Sequence, residues 1–287
     1  QRPSRPKRYA QISTKIMHGL KTITPDIEVY SVDEAFLDMT HCQKIIESPE
    51  KVAKSIKKLI LELSGLSCSI GISGDKTTAK YAAKQEKPDG LTIIPPEKAE
   101  NRLKNAPVTD LCGIAKGIGR FLNSYGVYTC GDMKNIPISI LGQHFGNPGR
   151  RIWLMAQGQD PENIKTDVAE PKSIGHGKVM PPSTRNKKTI LVYLQHMSEK
   201  VGSRLRRHDL QTSKFFIGIL SQHGWIGGKM KTEYPTNDGQ KIMDLCEQLL
   251  NKQWHGEGIN QIQVTAIHPK QSNQQLDFLE NKKQWSS

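Results

Sequence analysis

Between Ser173 and Ile267 the apolar residues switch period in a fixed order, and that order restricts the fold more than any other feature of the chain. A run of strand character (Ser173 to Met180) is followed by apolar positions at helical spacing (Ile190, Leu194, Met197, Val201, Leu205). Two further strands (Lys214 to Leu220 and Trp225 to Tyr234), a second helix (Ile242, Leu245, Leu249) and a last strand (Ile259 to Ile267) complete it. Strand, helix, strand, strand, helix, strand is the split β-α-β arrangement. It predicts an α+β fold with several domains.

The front of the chain carries a different alternation. Ile12, Ile16, Leu20 and Ile23 predict a helix from Tyr9 to Ile23, closed by Pro25-Asp26. Ile27 to Thr40 predicts two short strands interrupted by the acids Asp33-Glu34. Ser48 and Pro49 open a second helix, whose face is Val52, Ile56, Leu59, Ile60 and Leu63. Ser67 to Ser73 has the character of a buried strand, Thr77 to Gln85 of a helix and Leu91 to Ile94 of a strand. Residues 1–100 thus predict one β-sheet backed by helices. Residues 101–167 are short helical pieces punctuated by glycine, a small helical domain. Pro171, two glycines and little apolar content mark 168–177 as a linker, 178–269 hold the split unit, and 270–287 form a polar, Gln-rich tail expected to be flexible.

At 287 residues two or three domains are expected. The formal charge of +13 calls for a polyanionic partner. It divides into about +3 over residues 1–100, about +2 over 101–170 and about +8 over 171–287, so the surplus sits in the last domain. No apolar run approaches the roughly 20 residues of a membrane span, and no membrane association is expected. The first residues have neither an apolar signal region nor an initiating Met, so an N-terminus cut from something longer is expected. Five widely spaced cysteines without a Cys-x-x-Cys predict neither a disulfide framework nor a zinc ribbon, and point to a reducing cytoplasm.

Four clusters could carry chemistry. Asp33 and Glu34 lie inside an apolar strand pair, where they must bind a cation or reach solvent at a turn. The dipeptide alone favours an exposed acidic turn over a metal site. Lys76, Lys80, Lys84 and Lys87 recur every three or four residues, which suits a solvated helix face more than a row aimed at phosphate. Gly113-Ile114-Ala115-Lys116-Gly117 places a tight turn before a helix; backbone N–H groups there would hold phosphate without reading sequence, and a plain helix–helix turn fits the spacing equally well. Arg204, Arg206 and Arg207 close a helix, either as a solvated end or as a phosphate-binding face.

Tyr30-Ser31-Val32-Asp33-Glu34-Ala35-Phe36-Leu37-Asp38, Cys68-Ser69-Ile70-Gly71-Ile72-Ser73, Lys76, Ala79-Lys80, Ala82 and Lys87-Pro88-Asp89-Gly90 together resemble the palm of Y-family translesion DNA polymerases of the DinB type. The turn at Gly113 resembles the helix-hairpin-helix of that family's thumb, and Lys172-Ser173-Ile174-Gly175-His176 resembles the lead into its little finger. Gln275-Leu276-Asp277-Phe278-Leu279 is similar to the peptide that docks bacterial polymerases on the sliding clamp.

The resemblance implies a DNA-directed DNA polymerase active in damage bypass, DNA repair and the SOS response. It would transfer a nucleotidyl group from a dNTP to a primer 3′ end with two Mg²⁺ ions. Asp33 and Glu34 would be metal ligands, with Glu34 serving the ion that activates the primer hydroxyl. Lys87 would contact the triphosphate, and Gly113, Ala115, Lys116, Gly117, Arg204, Arg206 and Arg207 would face DNA. Primer–template DNA, dNTP and a sliding clamp are the implied partners of a cytoplasmic monomer.

Two departures stand out. Ala115 occupies a position where such turns usually carry a second glycine. The family's first strand, third carboxylate, aromatic steric gate and fingers would all precede Gln1, so a weakly active or inactive fragment is expected. The alternative is a non-catalytic, truncated product that binds DNA and the clamp. A metal nuclease is disfavoured, because no His or further acid lies at suitable spacing from Asp33 and Glu34.

Overall fold

The structure is a computed structural model that describes residues 5–42, 48–167 and 170–272. It divides into two compact units, residues 1–168 and 169–287.

Unit 1 opens with helix α1 (Pro6–Leu20), which starts and ends about three residues earlier than its apolar period predicts because Pro6 sits at the first helical position. Strands β1 (Ile27–Val29) and β2 (Ala35–Leu37) pair antiparallel, Glu28 opposite Phe36. In helix α2 (Pro49–Ser64) the Ser48 hydroxyl accepts from the Lys51 N–H, and Gly65 closes the helix at φ 72°. Ile56 and Ile60 pack with Leu20 and Ile27 in a small core. Strand β3 (Ile70–Ile72), helix α3 (Lys76–Gln85) and strand β4 (Leu91–Ile93) form a parallel β-α-β unit, with Asp75 capping α3.

The single sheet expected over residues 1–100 is not formed among the described residues. Among the described residues β1–β2 and β3–β4 are separate two-stranded sheets, and β3 is three half-buried residues rather than a seven-residue buried strand. Within the second sheet β3 lies so close to α3 that a Cβ at Gly71 would overlap the Ala79 carbonyl and the Ala83 amide.

Helices α4 (Pro96–Leu103), α5 (Lys116–Ser124), α6 (Ile138–Phe145) and α7 (Asn147–Met155) complete unit 1. Leu103, Leu111, Ile114, Leu122, Met133, Leu141 and Ile152 form their shared core.

Unit 2 follows the order its periodicity dictates: β5 (Ser173–Thr184), α8 (Lys187–Arg207), β6 (Leu210–Ser221), β7 (Gly224–Thr236), α9 (Gly239–Gln253) and β8 (Ile259–Ile267), with β9 (Lys270–Gln271) added on β6. The sheet order is β5-β8-β6-β7, all antiparallel. Each β-α-β pair is therefore split by a third strand. β5 begins at Ser173, as the strand character from Ser173 to Met180 predicts, inside the 168–177 stretch whose composition reads as a linker. Pro181 and Pro182 are tolerated because β5 is an edge strand. Phe215, Ile217, Ile219, Ile262 and Val264 face α8 and α9 and are fully buried with Ile190, Leu194, Met197, Val201 and Leu205.

Candidate active site and nucleic-acid interface

Asp33 and Glu34 lie in the turn joining β1 to β2, and both are exposed. The turn is closed by the Glu34 carbonyl, which accepts from the amides of Tyr30 and Ser31 at 3.0 Å. The two acids differ in environment. The Ser31 hydroxyl donates to Asp33 Oδ1 at 2.7 Å. Glu34 Oε2 instead receives the Lys80 ammonium at 2.6 Å, and that ammonium also sits 4.4 Å above the Tyr30 ring.

The lysine row of α3 is neither a solvated face nor a free phosphate row. Lys76 is buried and pairs with Glu28 Oε2 at 2.6 Å, with its ammonium 5.3 Å from the Phe36 ring. Lys80 takes Glu34, and Lys84 donates to the Asp110 carbonyl at 3.1 Å. Helical spacing aims all three lysines at neighbouring elements, and acceptors on those elements capture them. Lys87, one turn beyond α3, is exposed. Its turn is clasped by Lys57, whose ammonium donates to the carbonyls of Cys68 (2.9 Å), Asp89 (2.6 Å) and Gly90 (3.3 Å) and pairs with the Asp89 carboxylate.

Behind the turn a second ionic network joins β1 and α3 to the segment after α7. Asp160, whose side chain is closed to solvent, takes a two-pronged contact from Arg151 (2.7 and 2.8 Å) and the Thr77 hydroxyl at 2.6 Å. Burial alone would raise the Asp160 carboxyl, but the Arg151 and Thr77 hydrogen bonds outweigh it and hold it below the usual carboxylate range. Glu162 is likewise lifted by burial and brought below its ordinary value by Lys165, Arg151 and Lys76. A cleft of 710 Å³ opens beside this network, lined by Tyr30, Phe36, Lys76, Gly113, Arg150 and Met155 among others.

At the second predicted phosphate site, Gly113 has φ 91° and Ile114 is buried, anchoring the turn. Ala115, Lys116 and Gly117 are exposed at the start of α5, which has no side-chain cap. Its first amides are thus open to an acceptor. A Cβ at Gly117 would meet nothing, so Gly117 answers no steric need in the free chain.

In unit 2 the three arginines are unequal. Arg204 donates to the Gly175 carbonyl at 2.6 Å, and Arg206 to the Asn237 carbonyl at 2.6 Å with Glu199 nearby at 3.8 Å. Arg207 is exposed. Sequence reasoning missed a denser cluster beside them. His176 is held below its ordinary value by burial first and then by Arg204, Lys200, His196 and Lys178, a set of basic side chains spread over β5 and α8. Their separation along the chain hides it from pattern reading.

The register also sets an open sheet face opposite the helices: Phe216 is opposite Lys229, Lys214 opposite Lys231, and Leu220 opposite Trp225, which is 52% exposed. Residues 275–279 lie outside the described residues.

Comparison with known proteins agrees with this anatomy. Residues 1–84 match the impB/mucB/samB family, and residues 171–278 match the impB/mucB/samB family C-terminal domain. DNA polymerase IV of Moorella thermoacetica is 31% identical over 88% of this chain and 64% of its own length. DNA polymerase IV 2 of Bacillus subtilis is 29% identical over 91% of this chain and 65% of its own length. The chain therefore spans somewhat less than two thirds of these relatives. Among solved structures, the Y-family DNA polymerase chimera Dbh-Dpo4(243-245)-Dbh superposes with a TM-score of 0.79 at 24% identity, covering 94% of this chain and 78% of that one. No helix among the described residues is long and apolar enough to cross a membrane. Matched at front and back to two parts of one family, and similar along most of its length to proteins named DNA polymerase IV, this chain belongs to the impB/mucB/samB family.

Proposed function

We propose that the chain supplies palm (1–100), thumb (101–167) and little-finger (178–269) parts of a cytoplasmic, template-directed, damage-tolerant DNA polymerase. The observation that carries this reading is the β1–β2 turn, which takes two adjacent acids out of an apolar strand pair and presents both to solvent. Their hard carboxylate oxygens suit Mg²⁺, which takes one or two protein carboxylates together with phosphates and water. Among the described residues no group of three His, Cys, Asp or Glu side chains converges, so the fit rests on Asp33 and Glu34. Bound there, Mg²⁺ supplies charge neutralisation for a dNTP and activation of a primer hydroxyl.

The chain's own residues do the rest. Ser31 orients Asp33, and Lys57 fixes the turn that offers Lys87 to a triphosphate. The open amides at Ala115–Gly117 and the cations of unit 2, including Lys214, Lys229, Lys231 and Arg207, hold phosphates without reading bases. Asp33→Ala is expected to abolish primer extension and leave primer–template affinity unchanged; undiminished extension would refute the reading. The 287-residue chain is expected to bind primer–template DNA but to extend it slowly, since among the described residues no third carboxylate joins Asp33 and Glu34.

The residues Gln275, Leu276, Asp277, Phe278 and Leu279 dock a sliding clamp in this reading. A pull-down with Leu276→Ala and Phe278→Ala combined tests that, and equal retention removes the motif. The pairing of Glu34 with Lys80 favours a second reading, a DNA- and clamp-binding protein without catalysis. The same extension assay separates the two.

A further inference from the structure

A carboxylate that is 44% exposed needs no protein partner to stay ionised, because water solvates it. Glu34 nevertheless holds a lysine whose side chain is only 15% exposed, in a 2.6 Å contact under an aromatic ring. Tyr30 and Glu34 are the two ends of one turn, tied by the Tyr30 amide to the Glu34 carbonyl, so ring and carboxylate form a two-sided cage for one ammonium. Its neighbours on α3 do not share this arrangement: Lys76 is committed to buried Glu28, and Lys84 to a backbone carbonyl. Asp33, beside Glu34, is hydrogen-bonded by Ser31 instead.

We propose that Lys80 is a positioning residue that serves as the resident counter-cation of Glu34, occupying the carboxylate until a divalent ion displaces it. The inference rests on the reading of Asp33 and Glu34 as ligands for a divalent ion. Before ion entry the acidic turn then carries one uncompensated charge, Asp33, rather than two. The first contact of an ion is with Asp33, and capture of Glu34 follows only as the ammonium leaves.

Titration of the full chain with Mn²⁺, with free ion followed by electron paramagnetic resonance, tests this without any turnover. Lys80→Met frees Glu34 and should tighten Mn²⁺ binding roughly threefold to tenfold, the combined worth of a part-exposed ion pair and a cation–π contact. Lys80→Arg restores the charge and should bind within twofold of the parent chain. Tyr30→Leu removes only the ring and should give a smaller tightening; it decides the question alone if Lys80→Met does not fold. Unchanged or weakened binding in the decisive variant overturns the counter-cation role. Asp33→Asn separates the two levels of inference. Should it bind Mn²⁺ as well as the parent, the metal-site reading itself fails; loss of binding in Asp33→Asn with no change in Lys80→Met refutes only the role of Lys80.

Discussion

Lys76 and Glu28 are 8% and 11% exposed and meet at 2.6 Å, so each is the other's main compensation for leaving water. Lys76→Met would leave Glu28 with only the Lys165 amide as donor. The expected cost is about 3 kcal/mol in urea unfolding of unit 1, largely recovered when Glu28→Leu is added. Asp160 and Glu162 give unit 1 an acid limit. Both carboxyls lie below their ordinary values in the folded chain, so the unfolded chain binds more protons in acid. Their contribution is complete above the unfolded carboxylate range and is lost as pH falls from about 5 through the lower folded values. Circular dichroism should record loss of unit 1 structure across that interval, and Asp160→Asn should flatten the dependence while lowering stability at neutral pH. Lys57 sets a limit of another kind. The three N–H groups of an ammonium point in different directions and can meet carbonyls and a carboxylate that converge from different sides, with one N–H shared, whereas the donors of a guanidinium lie in one plane.

At the scale of elements, close approach decides more than propensity. Gly71→Ala would drive a Cβ into the backbone of α3, so the β3-α3-β4 unit should lose about 3 kcal/mol or more, seen as an earlier urea midpoint with unit 2 unaffected. This also marks the limit of what the sequence discloses. Helix α8 is legible because the apolar residues Ile190, Leu194, Met197, Val201 and Leu205 recur at helical spacing. The same holds for the order of unit 2, whose strands are long and of which β7 and β8 alternate over most of their length. The strand pairing of unit 1 is not legible: three-residue strands give too few alternations to fix either length or pairing. Asp33 and Glu34 were legible as acids at a turn. The Glu34–Lys80 pair was not, because its partners are 46 positions apart, and the same applies to Glu28 with Lys76 and to the basic side chains around His176. Periodicity shows which face a side chain occupies, not what comes to meet it.

At the scale of the molecule the two units differ in how their cores are built. Unit 2 has one continuous core between a sheet face and two helices, whereas the buried apolar residues of unit 1 fall into three separate clusters. Calorimetry should therefore resolve two transitions, unit 1 melting first, and residues 169–287 alone should melt at the temperature of the upper one. Should those residues bind DNA as proposed, affinity of the whole chain falls on the order of a thousandfold between about 50 and about 200 mM salt. The uneven charge has a kinetic consequence as well. Most of the +13 resides on one independently packed unit, so a polyanion is steered toward that unit before any contact forms. Stopped-flow association with residues 169–287 alone should thus be nearly as fast as with the whole chain, leaving unit 1 to determine how long the encounter lasts rather than how often it begins.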